Sequence, residues 1–181
     1  MSPTMRMKIR KYTIHILAIT AFRPGIFDLP PQRNAIIICT NRENRYLNDH
    51  VNHNKLVLNF LDVEDPHVIG AFNGGHARAI IRFVRRLPKS VTDIYVCCSK
   101  GGSRSPAVAA ALLRMSGRSD GPVWLNPYYV PNTLVYYRLC REAGIPVSLI
   151  GVWIKKQQNR KAFLRAKRGK PSKYERWQII D

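Results

Sequence analysis

The sequence predicts an α/β protein with a central, mostly parallel β-sheet flanked by helices. Three observations lead there. Short runs rich in β-branched and apolar residues alternate along the chain with longer segments of helical periodicity. One such run, Ala35 to Thr40, is apolar up to its last residue, as strands covered on both faces are. Another, Asp93 to Cys97, leads through a glycine-containing turn into an alanine-rich helical segment.

Taken in order, Tyr12 to Ile19 reads as the first strand. The basic stretch Met5 to Lys11 before apolar Ile14 to Phe22 has the outline of a signal peptide, but that run contains His15 and Thr20, lacks a small-x-small cleavage site and alternates as a strand does. Phe22 to Arg33 is a loop punctuated by Pro24, Gly25, Pro30 and Pro31. Ala35 to Thr40 is the second strand, and polar Asn41 to Asn54 is irregular. Leu56 to Leu61 is the third strand, followed by the acidic turn Asp62-Val63-Glu64-Asp65-Pro66. Gly75 to Leu87 carries Ala79, Ile80, Phe83, Val84 and Leu87 at helical spacing, and Pro88 ends it. After the strand Asp93 to Cys97, Ser105 to Met115 is a buried helix with Pro106 in its first turn. Gly117 to Pro122 is a loop. Pro131 to Ala143 is a further helix, with Leu134, Val135, Leu139 and Ala143 on one face. No run is long enough to span a membrane.

A chain of 181 residues suits one sizeable core. With 45% hydrophobic and 23% charged residues, the composition is globular and excludes a disordered chain. Thirty Lys and Arg against eleven Asp and Glu give a net charge of +19, a field that favours anionic partners: nucleic acid, nucleotides, phosphoinositide headgroups or acidic proteins. Much of the excess lies between Lys155 and Arg176, where Glu175 is the single acid and Phe163 and Tyr174 are interleaved, with Trp177 just beyond. A solvated helical face has that composition; so does a segment that touches nucleic acid or an anionic membrane surface. The chain therefore divides into an α/β domain, 1–152, and a basic C-terminal extension, 153–181.

Cys39, Cys97, Cys98 and Cys140 include no CxxC pair, and a bond between adjacent Cys97 and Cys98 would be strained. They read as reduced thiols in a reducing compartment, hence a cytoplasmic protein. The histidines show no metal spacing; His50-x-x-His53 comes nearest. No metal and no cofactor is expected.

The chemistry lies in Cys98-Ser99-Lys100-Gly101-Gly102-Ser103-Arg104-Ser105-Pro106, between predicted strand and predicted helix. Such a turn directs backbone N–H groups into one concavity, and the helix N-terminus adds partial positive charge. Gly101 and Gly102 allow the backbone angles that a nest needs. Ser99 to Ser103 would supply its amides, Lys100 would add charge or face solvent, and Arg104 would grip two phosphate oxygens through its planar fork. Cys98 would sit beneath the phosphorus, where the same amides favour its thiolate. Ser105 would donate to that thiolate when it leaves.

Cys-x5-Arg-Ser in this setting resembles the signature of the protein tyrosine and dual-specificity phosphatase superfamily. The run from Cys98 to Leu112 is similar to the compact phosphatase-like proteins of bacteria and phages, and Asn132 to Arg138 resembles a helix of that group. The similarity covers roughly residues 12 to 143. It implies a phosphate monoester hydrolase in which Cys98 forms a phosphocysteine. A general acid protonates the leaving oxygen, then activates water. The family's acid is an aspartate on an upstream loop, here Asp62 or Asp65. Asp65 lies closer to the usual separation, but Asp62, directly after the third strand, corresponds better in position and is the favoured acid. His76, with Ala77 and Arg78, matches a structural feature of the group. The family's histidine before the nucleophile is replaced by Cys97. Tyrosine phosphate is the default substrate by resemblance. The charge favours an RNA 5′-phosphatase or triphosphatase or a nucleotide phosphatase as the alternative, and a non-catalytic phosphate or nucleic-acid binder is the other reading.

Overall fold

The computed structural model describes residues 7–19, 30, 32–41, 54–169 and 179–180. Most of the expected loop at 22–33, the irregular segment 42–53 with His50 and His53, and the tail residues 170–178 lie outside the described residues.

Strands β1 (Thr13–Ala18), β2 (Asn34–Thr40), β3 (Asn54–Asn59), β4 (Asp93–Cys98) and β5 (Ile179–Ile180) form one sheet in the order β3-β2-β4-β1-β5. The first four are mutually parallel, and β5 runs antiparallel to β1. Helices α1 (Gly74–Arg86), α2 (Arg104–Met115), α3 (Gly121–Trp124), α4 (Thr133–Glu142) and α5 (Leu149–Lys167) complete the described structure. The expected α/β class, with a mostly parallel sheet flanked by helices, is what is observed.

Burial follows the pleat. Ile14, Ile16 and Ala18 of β1 alternate with half-buried neighbours, whereas all seven residues of β2 are buried, as its apolar run predicts. Ile94, Val96 and Cys98 of β4 join the main core with α1, α2 and α4. Cys97, one residue along, points to the opposite face and packs with Ile36 and Ile38.

Helix α2 is buried from Arg104 to Leu113, and its alanines let it lie against the sheet, α3 and α4. Its start is what aims the Cys98–Arg104 loop. Helix α1 begins at a capping box: Asn73 Oδ1 accepts from the His76 N–H, and His76 Nδ1 accepts from the Asn73 N–H.

Three boundaries differ from expectation. Strand β3 ends at Asn59, not Leu61, because the Leu61 N–H turns away to the Gly70 carbonyl. The expected loop at 117–122 gives way to the short helix α3, with Pro122 in its first turn, where its missing N–H costs nothing. The junction expected at 152–153 falls inside α5, which runs unbroken from Leu149 to Lys167. That helix is fastened to the domain by buried Val152 and Asn159, and β5 returns to pair with β1.

Candidate functional site

Cys98 is the last residue of β4 and Arg104 the first of α2, so the chain reverses over five residues. Gly101 has φ +66, the left-handed region where an L side chain is strained. Its N–H donates to the Cys98 carbonyl at 3.2 Å. Among the described residues, no acceptor receives the N–H groups of Ser99, Lys100, Gly102 or Ser103. Of the two glycines, Gly101 alone uses the left-handed conformation. Gly102 does not have a positive φ, and a Cβ there would meet only the Tyr128 carbonyl, at 3.9 Å.

Cys98 Sγ lies 3.2 Å from Ser105 Oγ, and both residues are buried. Arg104 is 4% exposed. One terminal nitrogen donates to the Phe60 carbonyl (2.9 Å) and the other to Ser99 Oγ (3.0 Å). The guanidinium is thus held by the end of β3 and by the loop itself. Among the described residues its Nε has no hydrogen-bond partner, although Asp62 Oδ2 is 3.9 Å away. A buried guanidinium N–H without an acceptor is costly, and calls for a functional reason.

Asp62 is brought to the loop. Its Oδ1 accepts from Ser103 Oγ (2.8 Å) and from Asn132 Nδ2 (2.9 Å). Asp65 is not; it is exposed and accepts the N–H of His67 within its own turn, at 2.9 Å. Lys100 is exposed.

Cys39 pairs in register with Cys98 and shares its face of the sheet, yet these thiols differ in surroundings. Burial, then the neighbouring Cys98, pushes the Cys39 thiol far above its ordinary range; burial, then Cys39, does the same to Cys97. Cys140, on α4, is raised to about 12, again first by burial. All four thiols are free and buried. Cys98 is the one in contact with Ser105 and at the mouth of the loop.

Sequence reasoning missed Asn132, which is 2% exposed. Its N–H donates to the Ser103 carbonyl (3.3 Å), its Nδ2 to Asp62 and to the Val63 carbonyl (3.1 Å), and its Oδ1 caps α4 by accepting from the Val135 N–H (3.0 Å). An Asn just before a helical run is an N-cap signal, but the ties to Asp62 and Ser103 are long-range. Also unforeseen was Glu64. It accepts from the Thr133 N–H at 2.9 Å and from Lys156 Nζ of α5. Burial raises its carboxyl, but the Lys156 and Thr133 bonds outweigh that and hold it below its usual range.

His76 packs against the rings of Phe60 and Phe72, which also contact each other. Burial outweighs a hydrogen bond to the Asn59 backbone and lowers its basicity below the ordinary 6.5. It joins the start of α1 to the end of β3, just ahead of the Arg104-binding carbonyl of Phe60.

The chain matches no protein-family model, and no curated protein is significantly similar to it. Among the described residues no helix is long and apolar enough to cross a membrane.

Proposed function

We propose that the protein is a cysteine-dependent phosphate monoester hydrolase, like the protein tyrosine and dual-specificity phosphatases its loop resembles. The observation that carries this is buried Arg104. Its Nε is buried without a hydrogen-bond partner among the described residues. The residue follows a loop in which four N–H groups have no acceptor among those residues and whose first residue is a cysteine in hydrogen-bond contact with a serine. Such a concentration of donors suits a dianionic phosphoryl group and the charge that builds on it during transfer.

In this reading the Cys98 thiolate attacks phosphorus. The S–P bond forms as the ester O–P bond breaks, and Asp62 gives its proton to the leaving oxygen. Asp62, now a carboxylate, takes a proton from water as that water attacks phosphorus. The S–P bond then breaks, and Ser105 donates a hydrogen bond to the departing thiolate. Asp62 is preferred over Asp65 because Ser103 and Asn132 hold it at the loop. The loop amides of Ser99, Lys100, Gly102 and Ser103 and the Arg104 fork hold the phosphoryl oxygens. The four free thiols suit a reducing compartment, and a cytoplasmic location belongs to the same reading.

The test compares para-nitrophenyl phosphate hydrolysis by the wild type and by Cys98→Ser, with vanadate binding measured on both. Turnover by the wild type and a loss of about a thousandfold or more in the variant support the reading. Equal rates overturn it. If neither turns over while both bind vanadate, the loop is a phosphate binder, not an enzyme.

A further inference from the structure

We infer that the exposed side of α5 is a docking surface for a single-stranded polynucleotide, whose terminal phosphate is the group delivered to the Cys98 loop. This rests on the hydrolase reading above and names its substrate class.

Helix α5 is anchored along one side. Asn159 is buried, and its amide donates to the carbonyls of Trp124 (3.0 Å), Asn126 (3.2 Å) and Tyr129 (2.9 Å); Lys155 pairs with Asp120 at 2.9 Å. The other side faces outward with Lys156, Arg160, Lys161, Arg165, Lys167 and Arg168. No acidic residue occurs between Glu142 and Glu175, so nothing on the helix offsets this charge. From Lys156 to Arg168 the basic surface extends about 18 Å along the axis, the span of a few nucleotides.

Helix α5 is tied to the candidate site on its anchored side, and on its exposed side through Lys156. Asn159 holds the Tyr129 carbonyl, and the next residue, Val130, donates to the Gly102 carbonyl of the loop at 2.7 Å. Lys156 grips Glu64, two residues beyond Asp62. A polyanion lying along α5 therefore meets the rim of the loop at the helix's N-terminal half.

The arrangement of apolar residues selects the partner. Trp153 is 60% exposed and Phe163 48%, and with Lys156, Arg160 and Lys167 they fall at spacings of three and four on one row of the helix. Leu149, Ile150, Ile154 and Leu164 are exposed too, and these apolar residues are spread among the cations rather than gathered on a separate face. A helix that lies in a membrane surface separates an apolar face from a basic one. Aromatic rings set among cations instead suit bases that stack and phosphates that pair.

Fluorescence anisotropy with short single-stranded RNA, phosphorylated at the 5′ or the 3′ end, tests this. The full chain should bind, and its affinity should fall steeply as salt rises. The combined variant R160E/K161E/R165E/K167E should weaken binding and reduce phosphate release from at least one RNA by about tenfold or more, with para-nitrophenyl phosphate hydrolysis unchanged. Should the combined variant unfold, Trp153→Ala, expected to weaken binding about fivefold, carries the test. Absence of RNA binding by the wild type, indifference of binding to these substitutions, release from neither RNA, or tighter binding to phosphatidylserine vesicles than to RNA overturns the inference. Absence of para-nitrophenyl phosphate hydrolysis overturns the hydrolase reading instead, and RNA binding with that result leaves α5 a nucleic-acid surface without a phosphatase.

Discussion

Asn132 Nδ2 lies 2.9 Å from Asp62 Oδ1, across 70 residues of sequence. Through this bond the start of α4 holds the carboxylate of the β3–α1 connection, while the Asn132 N–H holds the Ser103 carbonyl of the Cys98 loop. Three segments remote in sequence meet at one side chain.

That junction separates two substitutions. Asn132→Ala removes the α4 cap and both Nδ2 bonds, and should cost about 1–2 kcal/mol, read as a lower Tm. Asn132→Asp keeps an oxygen for the Val135 N–H but places a like charge against Asp62. The kcat with para-nitrophenyl phosphate should then fall by about tenfold or more while Tm changes less than in Asn132→Ala, because the new carboxylate repels Asp62 from the loop but keeps the helix cap. An unchanged kcat would mean that Asp62 is not the general acid.

Ser105→Ala tests the Cys98–Ser105 contact. A hydrogen bond to a charged group contributes about 1.5–3 kcal/mol, so its loss should slow breakdown of the phosphocysteine by roughly tenfold or more. The first step needs no help for a leaving sulfur. Rapid-mixing measurements with para-nitrophenyl phosphate should therefore show a burst of nitrophenol followed by slow turnover.

Acid should loosen the fold at His76. Its basicity is lowered in the folded protein, so between the folded and unfolded values the unfolded chain binds more protons. The stabilisation is complete above about pH 6.5 and is lost as pH falls below it, when the protonated ring can no longer accept the Asn73 N–H. His76→Gln, whose side-chain oxygen can accept that bond without titrating, should flatten the Tm curve between about pH 5 and 7. A second decline belongs to Glu64: its carboxyl is lowered from 4.5, so its contribution is present above that value and is lost as pH falls through the lower, folded one.

Asn159→Ala leaves the carbonyls of Trp124, Asn126 and Tyr129 without their shared donor in a buried site. A loss of about 2 kcal/mol is expected, measured by urea unfolding. Hydrogen exchange should quicken in α5 and in 124–129 before it does in β4.

Among the described residues, periodicity and composition made four of the five strands and three of the five helices legible, because burial imposes a period of two on strands and about 3.6 on helices; the short β5 carries no such signal. Helix α5 escaped that logic. Its apolar residues do not gather on one face, and a polar residue, Asn159, does the anchoring. The two glycines of the loop were read alike, yet Gly101 alone needs its backbone freedom.

By itself the sequence determined the α/β class, the buried β2 strand and the order Cys98–loop–Arg104, since all three depend on neighbours along the chain. Tertiary structure alone decided that Asp62 rather than Asp65 faces the loop, that Phe60 and Ser99 hold Arg104, and that Asn132 ties these parts together. Those relations join side chains tens of residues apart, and their hydrogen bonds form only when packing of α2 and α4 against the sheet has removed water and set the distances.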